Sequence, residues 1–349
     1  MSDQSNPADN PAPSHGAQPS QALLPPPNSS PPKHPSLEAF WEYLEPALDH
    51  IFRAPTNDPS KAPVIDTRYY MGIYSALFGY LTNPRATSSS SPASSPARVP
   101  AVQATPADLH PPGPQAQPPN VPGKDLYVRL DRYFESVARE LLIGAPIDAS
   151  PSTTLIHYLV PTFTRYAAGA HTVSRLLNYF NRHHVGRLVG EGYGWYRPEP
   201  RPDGDGAAQS QQGDAGKKKK DAEARKKEAL KRWGLQPEDP PERVAEIEAY
   251  AEAASAPNCV VPLAVLAHRR FRLEVIEPLL EGAGEGGGRL ARAVEDLLRP
   301  SQVETVGENE EERQRLAAGL ADVLRTVGLE VDHPLRTRLD QFLRPGSVE

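Results

Sequence analysis

Cysteine is almost missing from this chain of 349 residues, which contains Cys259 alone. A single cysteine cannot form an intramolecular disulfide or a thiolate zinc site within the chain, so a reducing compartment is the simpler environment. No apolar run reaches the roughly 18 residues that a membrane-spanning helix needs. Residues 1–16 also lack the basic start and apolar core of a secretory signal. We therefore expect a location in the cytoplasm and nucleus and no membrane partner.

Patterns typical of catalysis are missing as well. His183 and His184 are adjacent, so on a helix they point in different directions and make a poor metal pair. Cys259 has no convincing histidine partner for nucleophilic chemistry. The glycine-rich run 282–288 follows no strand and lacks the Lys-Ser or Lys-Thr of a phosphate-binding loop. The sequence predicts no catalytic residue, no metal and no cofactor, and therefore no enzyme.

Proline is abundant instead, with 40 residues, and the mean hydropathy is −0.55. Two segments are too poor in large apolar residues to form a core, and we predict a disordered tail over 1–35 and a flexible Pro/Ser-rich loop over 86–121. The irregular, charged stretch over 188–256 is predicted to be an insert. Within the insert, a short helix from Glu242 to Ala254 is too acidic and alanine-rich to anchor a core by itself.

The remaining blocks repeat apolar residues at helical spacing, and none alternates in the way that predicts a strand. The predicted fold class is therefore all-α. We predict helices from Ser36, with a kink or a restart at Pro46, over Asp66–Thr82 and Lys124–Leu142, and from Ser152 or Thr153, with a kink at Pro161. Later helices are predicted from Val260, Arg289, near Leu316 and Pro334, and the charged Arg269 must reach water or a carboxylate. The last helix looks like the start of a truncated repeat, because no later helix follows that could cover its apolar face.

The second predicted helix carries two apolar faces. Ile73, Leu77 and Tyr80 share one face, and a second face lies a quarter to a half turn away around the helix axis. The second face consists of Tyr70, Met71, Tyr74 and Phe78. Both faces are buried if the helix is central to the bundle. Otherwise the second face is free to meet another protein, because aromatic residues and methionine are enriched in interface cores.

A further helical pattern lies between Leu155 and Arg187. Val173, Leu176, Leu177, Phe180 and His184 form its apolar stripe. The opposite side carries Arg175, Asn178, Tyr179 and Arg182, where a merely solvated helix would more often carry lysine and glutamate. Plain packing within a bundle explains such a pattern, and so does an interface.

The run from Leu177 to Val185 resembles the signature helix of the cullin N-terminal region, in which a tyrosine is followed by a hydrophobic residue and then by Asn-Arg-x-x-Val. Arg68 to Tyr74 is similar to the Arg-x-Tyr-Met-x-x-Tyr pattern of the family's second helix, most like the F-box-type cullin. Gly123 to Leu142 resembles the family's Leu-Tyr-x-Arg-Leu helix. The chain departs from the family at His184, where cullins usually carry tryptophan, and at Gly186, where they carry a basic residue.

This resemblance implies a cullin-repeat-like helical bundle, with a first repeat over 36–300 and a truncated second repeat starting at 301. It also implies a non-catalytic scaffold of an SCF-type ubiquitin ligase, which docks a Skp-type adaptor carrying an F-box receptor. Carried over by position, the adaptor-binding residues are Tyr70, Met71, Tyr74, Phe78, Tyr179 and Arg182. The family's C-terminal cullin homology domain is absent from the sequence, so no RING partner is expected.

An alternative interpretation starts from the lysine run Lys217–Lys220. Such a run, with the charged helix after it, can contact nucleic acid or another acidic partner. The net charge of −6 argues against a general nucleic-acid binder. The favoured partner is therefore the Skp-type adaptor, and nucleic acid is not expected.

Overall fold

The structure is a computed structural model. It describes residues 22–26, 30–82, 123–148, 150–196, 215–281, 288–299 and 308–344, with the side chains of 215–222 and 308–309 outside the description. These residues form helices and no strand, which confirms the predicted all-α class. The predicted loop over 86–121 and most of the predicted disordered tail lie outside the described residues.

Eleven helices follow one another in the described residues. Their bounds are α1 Leu37–Arg53, α2 Thr67–Thr82, α3 Lys124–Ile143, α4 Thr154–Leu176, α5 178–193, α6 Ala215–Leu230, α7 Pro241–Ala254, α8 263–280, α9 Arg289–Leu298, α10 Glu308–Thr326 and α11 Pro334–Phe342. Two π-helical stretches, Asn181–Val185 and Val189–Tyr193, lie inside α5, and a third, Arg272–Ile276, lies inside α8.

Neither proline ends its helix, so the helix does not restart at Pro46, while a kink at Pro46 or Pro161 stays a prediction. Pro46 lies inside α1 and Pro161 inside α4, and both helices continue through them. A proline removes one backbone hydrogen bond, to the carbonyl four residues earlier. Those carbonyls belong to Glu42 and His157, which lie on exposed sides of their helices, as do both prolines. Water can therefore replace the lost bonds, and no restart is needed.

The long helices α4 and α8 lie at the centre of the bundle. α4 packs against α1, α8, α9 and α10, while α8 also packs against α3 and α7. Between the two central helices, the rings of Phe163 and Phe271 lie 4.9 Å apart, and the buried Tyr166 hydroxyl donates to the carbonyl of Ala267 at 3.1 Å. This pairing holds the amino-terminal helices and the later helices in one continuous core.

Arg269 of α8 contradicts the prediction that its charge reaches water or a carboxylate. Its side chain is only 2% exposed. Its guanidinium instead donates to the carbonyls of Ala256 and Cys259, at 3.0 and 2.9 Å. The prediction was wrong because backbone carbonyls in the turn before α8 lie within reach of the guanidinium, and such acceptors satisfy a buried cation in place of water or a carboxylate.

Part of the predicted charged insert is packed against the bundle. Trp233, after α6, joins Ile247 and Tyr250 of α7 in a buried cluster that also contains Leu230, Leu235 and Ala251. The Trp233 indole donates to the carbonyl of Gly328 at 3.4 Å. An alanine-rich acidic helix can therefore contribute to a core, since its few large residues meet those of neighbouring segments.

Two further expectations differ from the structure. The apolar face of α11 is covered, because Leu335 and Leu339 are buried and α11 packs on α9 and α10. In the predicted disordered tail, Leu23 lies in a short bridge, donating its N–H to the carbonyl of Val64 at 3.0 Å. Leu23 also packs against the core, which offsets the cost of ordering these tail residues.

Candidate functional site

The candidate site lies on α2, whose first turn is fixed by Asp66. The Asp66 carboxylate accepts from the backbone N–H groups of Arg68 and Tyr69 at 2.8 and 3.4 Å, as an N-cap residue does. One face of α2 is then buried by Tyr69, Ile73, Ala76, Leu77 and Tyr80. The Tyr69 hydroxyl donates to the carbonyl of Tyr43 in α1 at 2.7 Å. This contact orients α2 on the bundle.

Two glycines let other segments approach a second side of α2. A Cβ atom at Gly72 would lie 2.3 Å from the Tyr43 hydroxyl oxygen, and one at Gly79 would lie 3.1 Å from the backbone nitrogen of His34. Both distances are shorter than ordinary van der Waals contacts. Glycine at these two positions therefore allows α1 and the described end of the tail to approach α2 closely. The face that carries Tyr70, Met71, Tyr74 and Phe78 remains exposed.

That remaining face meets a tyrosine from α5. The Tyr179 ring lies 5.5 Å from the Phe78 ring and 6.1 Å from the Tyr74 ring, edge-on to both. The Tyr70 hydroxyl donates to the carbonyl of Arg175, at the end of α4, at 3.2 Å. We call Tyr70, Tyr74, Phe78 and Tyr179 the aromatic ridge. It runs across two helices that are far apart in sequence.

The aromatic ridge is open to solvent along α2. Tyr70 is 37% exposed, Tyr74 40% and Phe78 47%, while Tyr179 is partly buried between its neighbours. Met71 is 53% exposed on the same helix, and Arg182 is exposed one turn after Tyr179. The structure therefore places all six sequence-predicted site residues at or near the surface. Ring contacts join Tyr74 and Phe78 to Tyr179, whereas Tyr70 is linked to the other side through its hydrogen bond to the carbonyl of Arg175.

Asn181 holds the α5 side of the ridge in place. Its side-chain oxygen accepts from the N–H of Leu263 at 3.1 Å, and its side-chain nitrogen donates to the carbonyl of Ser174 at 3.1 Å. These bonds tie α5 to α8 and α4. On the inner side of α5, Phe180 and His184 are buried and stacked, with ring centroids 4.8 Å apart. The sequence did not single out Asn181, although it belongs to the cullin-like motif.

His183 is a second neighbour that sequence reasoning did not include in the site. Its ring lies 4.2 Å from the ring of Tyr179, four residues earlier. The spacing of four residues on a helix was the available signal. His183 therefore extends the ridge along α5, whereas the adjacent His184 points inward.

Positive charge borders the ridge. Arg68, Arg175 and Arg182 are exposed, and none of them forms an ion pair with a carboxylate in the part of the chain that the structure describes. An exposed guanidinium is a good hydrogen-bond donor to carboxylates. The surface as a whole is therefore apolar at its centre and cationic at its border, which suits a partner with an acidic border.

The described residues also bear on metal binding and on membrane insertion. They contain no group of three or more His, Cys, Asp or Glu side chains that could hold a metal ion. No helix among them is both long enough and apolar enough to cross a bilayer. His268 is buried against Phe163 and near His171, and burial lowers its pKa to about 3, so this imidazole is neutral at physiological pH.

For the alternative site, the lysine run, the structure describes the helix but not the lysine side chains. Lys217–Lys220 lie in α6, and their side chains are outside the described ones. Further along α6, Lys226 forms an ion pair with Glu248 of α7. The charge of Lys226 is therefore paired within the chain. A contact between the lysine run and nucleic acid stays a prediction.

Comparisons with known proteins bring no further assignment. No protein-family model, no curated protein and no solved structure matches this chain.

Proposed function

We propose that this chain is a non-catalytic scaffold that binds a Skp-type adaptor, and through it an F-box receptor, in a cullin-type ubiquitin ligase. The observation that carries the proposal is the aromatic ridge. Tyr179 of α5 contacts the rings of Tyr74 and Phe78 of α2, Tyr70 lies on the same face of α2, and the three α2 residues are each more than a third exposed. A bundle core alone does not require such an arrangement.

The resemblance to cullin N-terminal helices supports the same residues. The Arg-x-Tyr-Met-x-x-Tyr pattern falls on α2, and the Tyr-Phe-Asn-Arg-x-x-Val pattern falls on α5. These are the two helices that supply the ridge. In the family, the second and fifth helices of the first repeat receive the adaptor, so the residues that the resemblance implicates are the ones that lie exposed on this chain.

The chemistry of the surface also suits a protein partner. Tyrosine and arginine are over-represented among the residues that dominate binding energy at interfaces, and the partly desolvated centre of a contact is where they act most strongly. A standard interface buries about 1,600 Å² in total, which requires more than the ridge alone. The exposed Met71 and the border arginines extend the surface, and they favour an adaptor that carries carboxylates around an apolar centre.

The test is calorimetric titration of a purified Skp-type adaptor into the full chain. We expect saturable binding by the wild-type chain. In the double variant Tyr74→Ala with Tyr179→Ala, we expect binding to weaken by at least about tenfold, because the loss of two central tyrosines typically costs about 2 kcal/mol or more.

The matched control is Val128→Ala on α3. Val128 is also an exposed apolar residue, at 40%, but it belongs to a different face. This variant should bind like the wild type. Unchanged binding by the tyrosine variant would show that the ridge is not the adaptor-binding surface, and the absence of any binding by the wild type would contradict the proposed function itself.

A further inference from the structure

A second surface feature, unrelated to the aromatic ridge, lies where α1, α3 and α4 meet. It is an open pocket of about 360 Å³. Its walls are mostly apolar and include Phe52, Val137, Leu141, Pro161 and Tyr166. The residues that follow α1 form one side of the pocket. Arg165 of α4 also lines the pocket and contributes a positive charge to it. We call this feature the Arg165 pocket.

Arg165 makes few hydrogen bonds for a charged side chain. Its Nη2 atom donates to the carbonyl of Ala54 at 3.1 Å, whereas its Nη1 atom is buried and has no hydrogen-bond partner. No carboxylate in the described part of the chain lies within ion-pair range of it. Burial therefore lowers the pKa of Arg165, with no nearby anion to oppose the effect.

The neighbouring arginine shows the contrast. Arg53 also lines the pocket, but its guanidinium donates to the carboxylate of Glu140 at 2.7 Å and to the Tyr133 hydroxyl at 2.9 Å, and it is paired with Asp49 as well. Its charge is satisfied within the bundle. Of the two cations that line this pocket, Arg165 is the one that has no anion among the described residues, and its unbonded Nη1 hydrogens are a cost that a ligand could remove.

The apolar walls are already formed. The Phe52 ring packs against the rings of Phe134 and Tyr166, at centroid distances of 5.8 and 5.3 Å. A Cβ atom at Gly169 would lie 2.9 Å from the Phe52 ring, so the glycine permits this seating of the ring. A small molecule entering the pocket therefore meets a fixed surface, and little binding energy is lost in ordering it.

We propose that the Arg165 pocket binds a small organic carboxylate with an apolar body, such as an arylalkanoic acid. The volume is within the range of small-molecule sites, whose walls are mainly apolar with a few polar groups that fix orientation. The apolar body lies against Phe52, Leu141 and Pro161. The carboxylate takes up the unbonded side of the Arg165 guanidinium, after a rotation about the terminal side-chain torsions brings Nη1 to the pocket surface.

Three probes separate this ligand class from simpler explanations. 3-Phenylpropionate carries both the ring and the carboxylate, 3-phenylpropionamide keeps the ring without the charge, and acetate keeps the charge without the ring. The full chain is titrated with each probe, and binding is followed by ligand-observed NMR. We expect 3-phenylpropionate to bind with a dissociation constant of about 1 mM or tighter, as its size allows, and at least tenfold more tightly than either other probe.

The variant Arg165→Met should remove this preference, so that 3-phenylpropionate and the amide bind equally weakly. The matched control is Arg132→Met, which removes an exposed arginine that lies outside the pocket and makes no ion pair in the described residues. It should bind like the wild type. If Arg165→Met does not fold, Arg165→Lys is used instead, and it should lose severalfold in affinity for 3-phenylpropionate alone, because lysine lacks the planar fork.

The proposal is overturned if the wild-type chain shows no saturable binding of 3-phenylpropionate, if the amide or acetate binds as tightly, or if the Arg165 variants bind it as the wild type does. None of these results bears on adaptor binding, since the pocket and the aromatic ridge share no residue.

Discussion

The ring of Phe78 in α2 lies edge-on to the ring of Tyr179 in α5, with centroids 5.5 Å apart. The two residues are separated by about a hundred positions in sequence, yet both belong to helices whose opposite faces are buried in the core. Edge-to-face pairs of this kind stabilise an arrangement by about 1 kcal/mol. The pair therefore links two helices at the surface and leaves part of both rings available to a partner.

Substitutions on α2 and α5 should separate the exposed surface from the core. Met71→Ala removes an exposed side chain and should change the free energy of unfolding by less than about 0.5 kcal/mol. Phe180→Ala removes a fully buried ring and should cost about 3–5 kcal/mol. Urea denaturation followed by circular dichroism measures both. A large loss with Met71→Ala would mean that Met71 is packed in the core and not available for binding.

The division of α2 into two faces was predictable from sequence, because helical periodicity places residues 70, 74 and 78 on one line. Periodicity could not decide which face is buried. That depends on Gly72 and Gly79, where α1 and the tail approach, and on Tyr179, which a distant segment supplies. Likewise, the role of Trp233 in the core was not predictable from a charged, alanine-rich stretch, since its partners come from α7 and from the turn at Gly328.

Arg269 offers a test of the centre of the bundle. Arg269→Met keeps much of the side-chain volume but leaves the carbonyl of Cys259 without its donor, while the carbonyl of Ala256 still accepts from the N–H of Cys259. An acceptor left unsatisfied costs about 1–3 kcal/mol, so we expect a loss of about 1–3 kcal/mol in the free energy of unfolding. Chemical denaturation measures it. Arg269→Lys should recover only part of the loss, because an ammonium group is not placed where the Arg269 Nη1 atom donates, and full recovery by lysine would show that the guanidinium itself is not needed.

Glu252 of α7 should make stability depend on pH. Burial, together with the nearby Glu248, raises the pKa of Glu252 to about 8 in the folded chain, against about 4.3 for an unperturbed glutamate. The folded state therefore keeps this proton at pH values where the unfolded state has lost it. The resulting stabilisation is complete below pH of about 4.3 and is lost as the pH rises to about 8.

The variant Glu252→Gln cannot lose a proton at this position. It should match the wild type near pH 5 and become more stable than the wild type by a few kcal/mol near pH 9. Urea denaturation at several pH values measures the difference. Parallel curves for the two proteins between pH 5 and pH 9 would contradict a protonated Glu252 in the folded chain.

The most direct measurement of the central claim is amide hydrogen exchange of the full chain with and without a Skp-type adaptor. We expect the adaptor to slow exchange in Thr67–Thr82 and in Asn178–Phe180 with the π-helical turn that follows, while α3 and α11 remain unchanged. Slowed exchange confined to the lysine-rich α6, or no slowing in α2 and α5 at adaptor saturation, would contradict the account.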